Sequence, residues 1–242
     1  MDGERDFGVV IPAAGSGTRF ARGGGAGDKL LVDLCGRTVL QRAVGLFAGH
    51  PAVGAIVVVT GAERMAAYEE HLRGVVGAAP LTVVEGGAER WQSVMRGLAA
   101  LKGVRFVAVH DAARPLTGRG VIDGAFAGAR EGGGVGGALP CVAEPATLKR
   151  RGADGCVSET VDRRGLFQAQ TPQCFELRRL IEGYERLAAD VASGRLAAAD
   201  VTDDAQVFER LGWAVRMTEG AAENLKITTA GDAALARALL GG

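Results

Sequence analysis

Three short, almost uninterrupted apolar runs, Phe7–Pro12, Ala55–Thr60 and Phe106–His110, constrain this chain more than any other feature. A continuous β-branched run bounded by loops predicts a strand buried on both faces, not one with a wet side. Between the runs, apolar residues recur at helical spacing. Val39, Leu40, Ala43, Val44 and Phe47 follow Thr38, which has Gln41 three residues on in the pattern of a capping box, and His50-Pro51 stops that helix. Glu63–Arg73 reads as a polar-faced helix and Leu81–Val84 as a short strand. The turn Glu85–Arg90 then leads into a helix through Leu101, with Ser93 near its entrance and Val94, Leu98 and Leu101 facing inward. Val121–Ala129 is predicted helical and Gly134–Leu139 a strand. Strand–helix alternation of this kind predicts an α/β fold, a Rossmann-like, mostly parallel sheet with helices on both faces.

The alternation breaks between Cys141 and Thr171. A short-period pattern with a Gly152-Ala153-Asp154-Gly155 turn at its middle predicts a projecting β-hairpin instead of a covering helix. Beyond it, Pro172 is expected to open a helix through Leu187, and Thr202-Asp203-Asp204 to cap a helix ending at Leu211. Trp213–Met217 reads as a late strand and Asp232–Leu240 as a closing helix, while the charged leader Met1–Asp6 is expected to be loose. The 242 residues fit one domain, with 141–171 as an arm.

Lys plus Arg (28) equals Asp plus Glu (28), so no global field draws the chain to nucleic acid or to a membrane surface, and any anion binding must be local. No apolar run reaches spanning length. The four cysteines (Cys35, Cys141, Cys156, Cys174) show neither a C-x-x-C pair nor zinc spacing, which points to free thiols and a cytoplasmic setting.

Local anion binding has an obvious candidate. Val9-Val10-Ile11-Pro12 runs directly into Ala13-Ala14-Gly15-Ser16-Gly17-Thr18-Arg19, and Lys29 follows after nine residues rich in glycine, Phe20–Asp28. Without a Cβ at Gly15 and Gly17, backbone amides approach a guest closely, and Arg19 and Lys29 add full charge, a combination suited to a phosphate chain. The spacing fits neither the dinucleotide fingerprint, whose third glycine is replaced by Phe20, nor the Walker loop. A plain strand-to-helix turn with solvated cations is the competing account. Asp111, at the end of an apolar strand, suits a hard divalent cation that takes further oxygens from substrate phosphates, or it caps the next turn. His110 reads as a buried structural histidine. Lys226, flanked by Leu225 and Ile227, is a third candidate cation, or a lysine snorkelling at a strand edge. In an open α/β sheet ligands bind beyond the carboxyl ends of the strands, where the first loop, Gly86–Arg90 and Asp111 all fall.

Taken in order, Pro12-Ala13-Ala14-Gly15-x-Gly17-x-Arg19, Lys29, Gly86-Gly87-x-Glu89-Arg90-x-x-Ser93-Val94, His110-Asp111-Ala112-Ala113-Arg114-Pro115, Thr160-Val161-Asp162-Arg163, Thr171-Pro172-Gln173, Thr202-Asp203 and Asn224-x-Lys226 resemble the 2-C-methyl-D-erythritol 4-phosphate cytidylyltransferase family over most of the chain. The resemblance implies CTP bound through Pro12, Ala13, Ala14, Gly15, Ser16, Gly17, Gly86, Gly87, Ser93 and Asp111, with Mg²⁺ held by the triphosphate and Asp111. It implies Arg19, Lys29 and Lys226 as catalytic cations. It also implies a polyol phosphate held by Arg114, Thr147, Arg163, Thr202 and Lys226, and a homodimer in which the hairpin carries Thr147 and Arg163 to the neighbour's site. Asp28 stands where the family commonly has proline, Leu30 where it often has glutamine, and Ala88 where some relatives carry aspartate; the glycine-rich segment 20–28 suggests a mobile lid. Two rivals share these features: a ribitol 5-phosphate cytidylyltransferase, and a catalytically silent nucleotide-binding module.

Overall fold

The computed structural model describes residues 5–241 except 16, 17, 26, 199 and 200; for Thr18 and Arg19 it describes the backbone alone. The expected strands are present. An eight-stranded sheet has at its centre β1 (Phe7–Pro12), flanked in parallel by β4 (Val53–Thr60) and β6 (Phe106–Val109); β5 (Leu81–Glu85) continues the parallel order beyond β4. A short helix, α1 (Thr18–Arg22), follows β1, and β2 (Asp33–Leu34) and β3 (Arg37–Thr38) make a separate small ribbon.

Alternation along β1 shows why the strand had to be apolar throughout. Phe7, Val9 and Ile11 pack with α2 (Val39–Ala48), α5 (Arg119–Arg130) and α8 (Ala230–Gly241), whereas Val10 points to the layer holding α4 (Arg90–Ala100), α6 (Leu177–Ala192) and α7 (Ala205–Arg210). Successive strand side chains face opposite ways, so a strand covered on both sides needs apolar residues at every position. The Thr38–Gln41 capping box starts α2 as expected, with both reciprocal bonds formed. α4 lies close against the sheet because Gly97 has no side chain: a Cβ there would come within 2.5 Å of Val10 Cγ1. The predicted helix over 63–73 is a 3₁₀ turn (Ala62–Arg64) followed by α3 (Met65–Leu72).

Beyond β6 the sheet departs from the expected pattern. β7 (Val135–Ala143) runs four residues past its predicted end. The return limb β10 (Phe167–Ala169) pairs antiparallel with that extension, Phe167 opposite Ala143 and Ala169 opposite Cys141. The base of the arm is therefore main sheet, and the hairpin proper is β8 (Leu148–Arg151) with β9 (Val157–Val161). Pro172 opens no helix. Gln173–Glu176 is a strand, β11, that fills the gap between β6 and β7 and pairs antiparallel with both, burying Cys174 and Phe175 completely. Two ladders of backbone hydrogen bonds outweigh a local start signal, and α6 begins only at Leu177. β12 (Ala214–Glu219) adds a parallel strand to the other pairing edge of β7.

The leader is also corrected in part. Residues 1–4 lie outside the described residues, but Asp6 is fixed: its carboxylate pairs with Arg130 at 2.5 Å and its carbonyl accepts the Arg105 and Phe106 amides. All four cysteines are free. Among the described residues, no helix is long and apolar enough to cross a membrane.

Candidate active site

Three adjacent strand exits build the floor of one cleft. The Ala13 amide donates to Val59 O at 2.7 Å and the Gly86 amide to Thr60 O at 2.7 Å, so the segments leaving β1, β4 and β5 are stitched together just past their last ladder bonds. The cleft, about 270 Å³, is lined there by Pro12, Ala13, Ala14 and Gly15. Gly87 and Ser93 form one wall; Lys29, Asp111 and Lys226 form the other.

On the first wall, close approach demands glycine. A Cβ on Gly86 would sit 2.7 Å from Ser93 Oγ, and one on Gly87 only 2.4 Å from Gln92 Cβ. Ser93, buried in the first turn of α4, accepts the Gly87 amide at 3.1 Å, and Gln92 Oε1 accepts the Glu89 amide at 3.1 Å to cap the helix. The serine hydroxyl thus sets the shape of this wall. Gly86 itself stands behind it.

The opposite wall concentrates charge. Lys226 Nζ lies 2.8 Å from Asp111 Oδ2, and Arg114 Nε 3.5 Å from the same oxygen. Burial alone would raise the Asp111 carboxyl, but Lys226, Arg90 and Arg114 overturn that and hold it well below the usual carboxylate range, so it is ionised. His110 fixes the backbone beneath it. The ring is fully buried, with Nε2 3.0 Å from Arg114 O and Nδ1 3.0 Å from Thr171 Oγ1. A carbonyl only accepts, so Nε2 carries the proton and Nδ1 accepts from Thr171; the Thr171 oxygen in turn accepts the Asp111 amide at 3.1 Å. Burial pushes His110 down to about 4, which keeps it neutral. The structural reading of this histidine holds.

Lys226 stands on an irregular segment anchored by Asn224. That buried amide donates to Gln170 Oε1 and Thr171 O, both at 3.0 Å, and accepts from Thr117 at 2.8 Å, which explains the Asn-x-Lys spacing. Lys29 reaches the same segment, its Nζ 3.4 Å from Ile227 O. Two lysines distant in sequence therefore line one cleft together with Asp111.

The remaining expected residues separate into groups. Arg114 is not among the cleft-lining residues; its guanidinium donates to Asn224 O at 2.6 Å and lies 3.5 Å from Asp111 Oδ2. Thr147 and Arg163 belong to the exposed arm, where Arg163 donates to Pro145 O; neither lines the cleft of its own chain. Thr202 is exposed and does not line it either. Ser16, Gly17 and the Arg19 side chain lie outside the described residues.

One pair was not singled out by the sequence. Arg90, lining the cleft at the start of α4, donates two bonds to the fully buried Asp204, at 2.6 and 3.2 Å, and Tyr184 donates a third. Asp204 was expected to help cap α7. It holds the N-cap position but makes no side-chain cap bond; Asp203 Oδ1 accepts the Gln206 amide at 3.1 Å, and the Asp204 side chain turns inward. The available signal was an arginine just after Gly86-Gly87 and two successive acids where a cap needs one.

A sequence profile described as IspD, 2-C-methyl-D-erythritol 4-phosphate cytidylyltransferase, matches residues 7–242. The chain belongs to that family. It is therefore a nucleotidyltransferase, specifically a cytidylyltransferase. Enzymes bearing the family's name from Rhodopirellula baltica and Synechococcus sp. are 37% and 39% identical to it; in each case 96% of this chain is covered, with 93% and 98% of the relative. A bifunctional IspD/IspF enzyme from Sinorhizobium medicae is 38% identical, and the match spans 98% of this chain and 57% of that longer protein. Among solved structures, the 4-diphosphocytidyl-2C-methyl-D-erythritol synthase from Anaerococcus prevotii superposes with a TM-score of 0.81 at 25% identity, covering all of both chains. The Thermus thermophilus cytidylyltransferase gives 0.71 at 29% identity, covering 96% of this chain and 98% of that one.

Proposed function

We propose that the chain transfers CMP from CTP to 2-C-methyl-D-erythritol 4-phosphate and releases pyrophosphate, a step in the synthesis of isoprenoid precursors. The observation that carries this reading is the meeting of Lys29, Lys226 and the ionised Asp111 in the cleft beyond β1, supported by family membership.

In this reading CTP lies across the strand exits, its base against Ala13, Ala14, Gly87 and Ser93 and its phosphates toward Gly15, Lys29 and Lys226. A phosphate oxygen of the acceptor attacks the α-phosphorus in line. One P–O bond forms as the bond to pyrophosphate breaks, and the electron pair leaves on the pyrophosphate oxygen. The acceptor phosphate is already mostly dianionic at neutral pH, so no general base is required. The protein's task is to position two anions and offset their charge. Lys29 and Lys226 do this from the described residues, and Arg19, adjoining Gly17 and Thr18 in the sequence, is the third cation of the reading.

The donor set fits Mg²⁺. Asp111 offers one ionised carboxylate, and the described residues contain no cluster of three acidic, histidine or cysteine side chains, which suits a cation that draws its other oxygens from a triphosphate and water. When bound, it supplies positive charge across the phosphate oxygens. Asp111 would hold the ion, and Lys226, 2.8 Å from that carboxylate, would stand beside it facing the phosphates. Arg163 and Thr147 act, in this reading, in the cleft of a second copy. Exposed Val157, Leu166 and Phe167 on and beside the arm support pairing of two chains through it.

The experiment is direct: incubate the protein with CTP, Mg²⁺ and 2-C-methyl-D-erythritol 4-phosphate and measure pyrophosphate, with ribitol 5-phosphate in parallel. Release with the first acceptor and little with the second is expected. No pyrophosphate with either acceptor rejects the reading.

A further inference from the structure

Arg64 and Tyr68 are four residues apart, at the start of α3 and within it, and so share one helix face. That face looks at the glycine-rich loop. Arg64 Nη2 donates to Ala14 O at 2.8 Å and Nη1 to Gly15 O at 3.0 Å, where the loop begins. The same guanidinium lies 4.0 Å from Asp28 Oδ2, where the loop ends, and the buried Tyr68 hydroxyl donates to that oxygen at 2.7 Å. The other carboxylate oxygen of Asp28 accepts the Leu30 amide at 2.9 Å, capping the 3₁₀ turn Lys29–Leu31.

We propose that Arg64, Asp28 and Tyr68 form a staple that positions both ends of the nucleotide loop, and with them Lys29, for the phosphate chain. The inference rests on the cytidylyltransferase reading and assigns positioning roles within it. Two physical consequences carry it. In a trans peptide unit C=O and N–H point in opposite directions, so holding Ala14 O on Arg64 turns the Gly15 amide away from α3, and Gly15 lines the cleft. Second, a carboxylate next to a phosphate-binding lysine is a hazard, since it competes with phosphate for the ammonium and repels the ligand. Arg64 and Tyr68 engage Oδ2 of Asp28 and hold the carboxylate against α3, while its Oδ1 fixes the backbone from which Lys29 projects.

The test compares wild type with Tyr68→Phe, which removes one hydroxyl and keeps the buried ring, and with Asp28→Asn and Arg64→Met. Three readouts are used: CTP·Mg²⁺ affinity by calorimetry, the KM and kcat of pyrophosphate release, and the rate of tryptic nicking after Arg19 or Arg22 without ligand. The expected result is a 5- to 30-fold loss of CTP affinity and a lower kcat, an unchanged KM for the polyol phosphate, and nicking at least threefold faster, with CTP restoring protection. Arg64→Lys, which keeps the charge but not the paired donors, should fall between. CTP affinity and nicking both within twofold of wild type in Tyr68→Phe and Asp28→Asn overturn the staple. If wild type itself neither binds CTP nor releases pyrophosphate, the functional reading falls, and the nicking comparison still decides whether the loop is held this way.

Discussion

Replacing Asp204 by asparagine should unfold the protein at a markedly lower temperature, although the side chain keeps its volume. The carboxylate is fully buried and accepts two bonds from Arg90 and one from Tyr184; burial alone would lower the Arg90 pKa, but the Asp204 charge and hydrogen bonds, with Tyr184 and Asp111, together hold it well above its usual value. Removing one member of a buried ion pair typically costs about 3–5 kcal/mol, because the survivor keeps its desolvation penalty. Here Arg90 retains 28% exposure, so water recovers part of its solvation and the loss falls to about 2–4 kcal/mol. For a chain of this size each kcal/mol moves the midpoint by about 2–4 °C, giving a fall of roughly 5–15 °C. Urea titration and calorimetry on the same samples supply the measurement. The double variant Arg90→Met/Asp204→Leu should lose about 2 kcal/mol less than the sum of its single changes, since it leaves no stranded charge. Asp204→Asn within about 0.5 kcal/mol of wild type, or strict additivity in the double variant, would refute the argument.

Three further outcomes follow from the site. Lys226→Ala should lower kcat by about 10²–10³-fold with a much smaller change in the KM for CTP, because its charge counts most as the phosphorus is attacked; a kcat within threefold of wild type would remove it from the mechanism. His110 is buried neutral at about 4 against an ordinary 6.5, so the unfolded chain binds more protons between those values. Its contribution is complete above pH 6.5 and about 3 kcal/mol of stability drains away as pH falls to 4, visible as a declining urea midpoint over that window, with no change there sinking the assignment. Arg163→Ala should raise the KM for the polyol phosphate and leave that for CTP alone; an unchanged acceptor KM would separate the arm from the site.

The sequence revealed whatever depends on local pattern. Continuous apolar runs gave β1, β4 and β6, and the Thr-x-x-Gln box gave the start of α2. Asp111 and Lys226 were legible because each is a charge embedded among apolar or small residues. Features that depend on distant partners were misread or passed over. Pro172 looks like a helix start until two neighbouring strands claim the residues after it. Asp204 looks like a cap until Arg90, 114 residues earlier in the chain, is brought beside it. Arg64 and Tyr68 carry no motif, since their targets are main-chain carbonyls and a single carboxylate across the loop.

The route by which the arm rejoins the body gives its two ends very different freedom to vary. Its outer turn, Gly152–Cys156, joins two strands that among the described residues pair only with each other, so added or lost residues there disturb no other strand of the same chain. Its inner limb is in register with β7 through Ala169 and two residues later delivers Thr171, whose hydroxyl holds the Asp111 amide. Deleting one residue within 167–170 would break that register and take the Thr171 hydroxyl from under the carboxylate. The root of the projection is therefore held by the geometry of the cleft, and its tip, within the chain, only by the hairpin's own pairing.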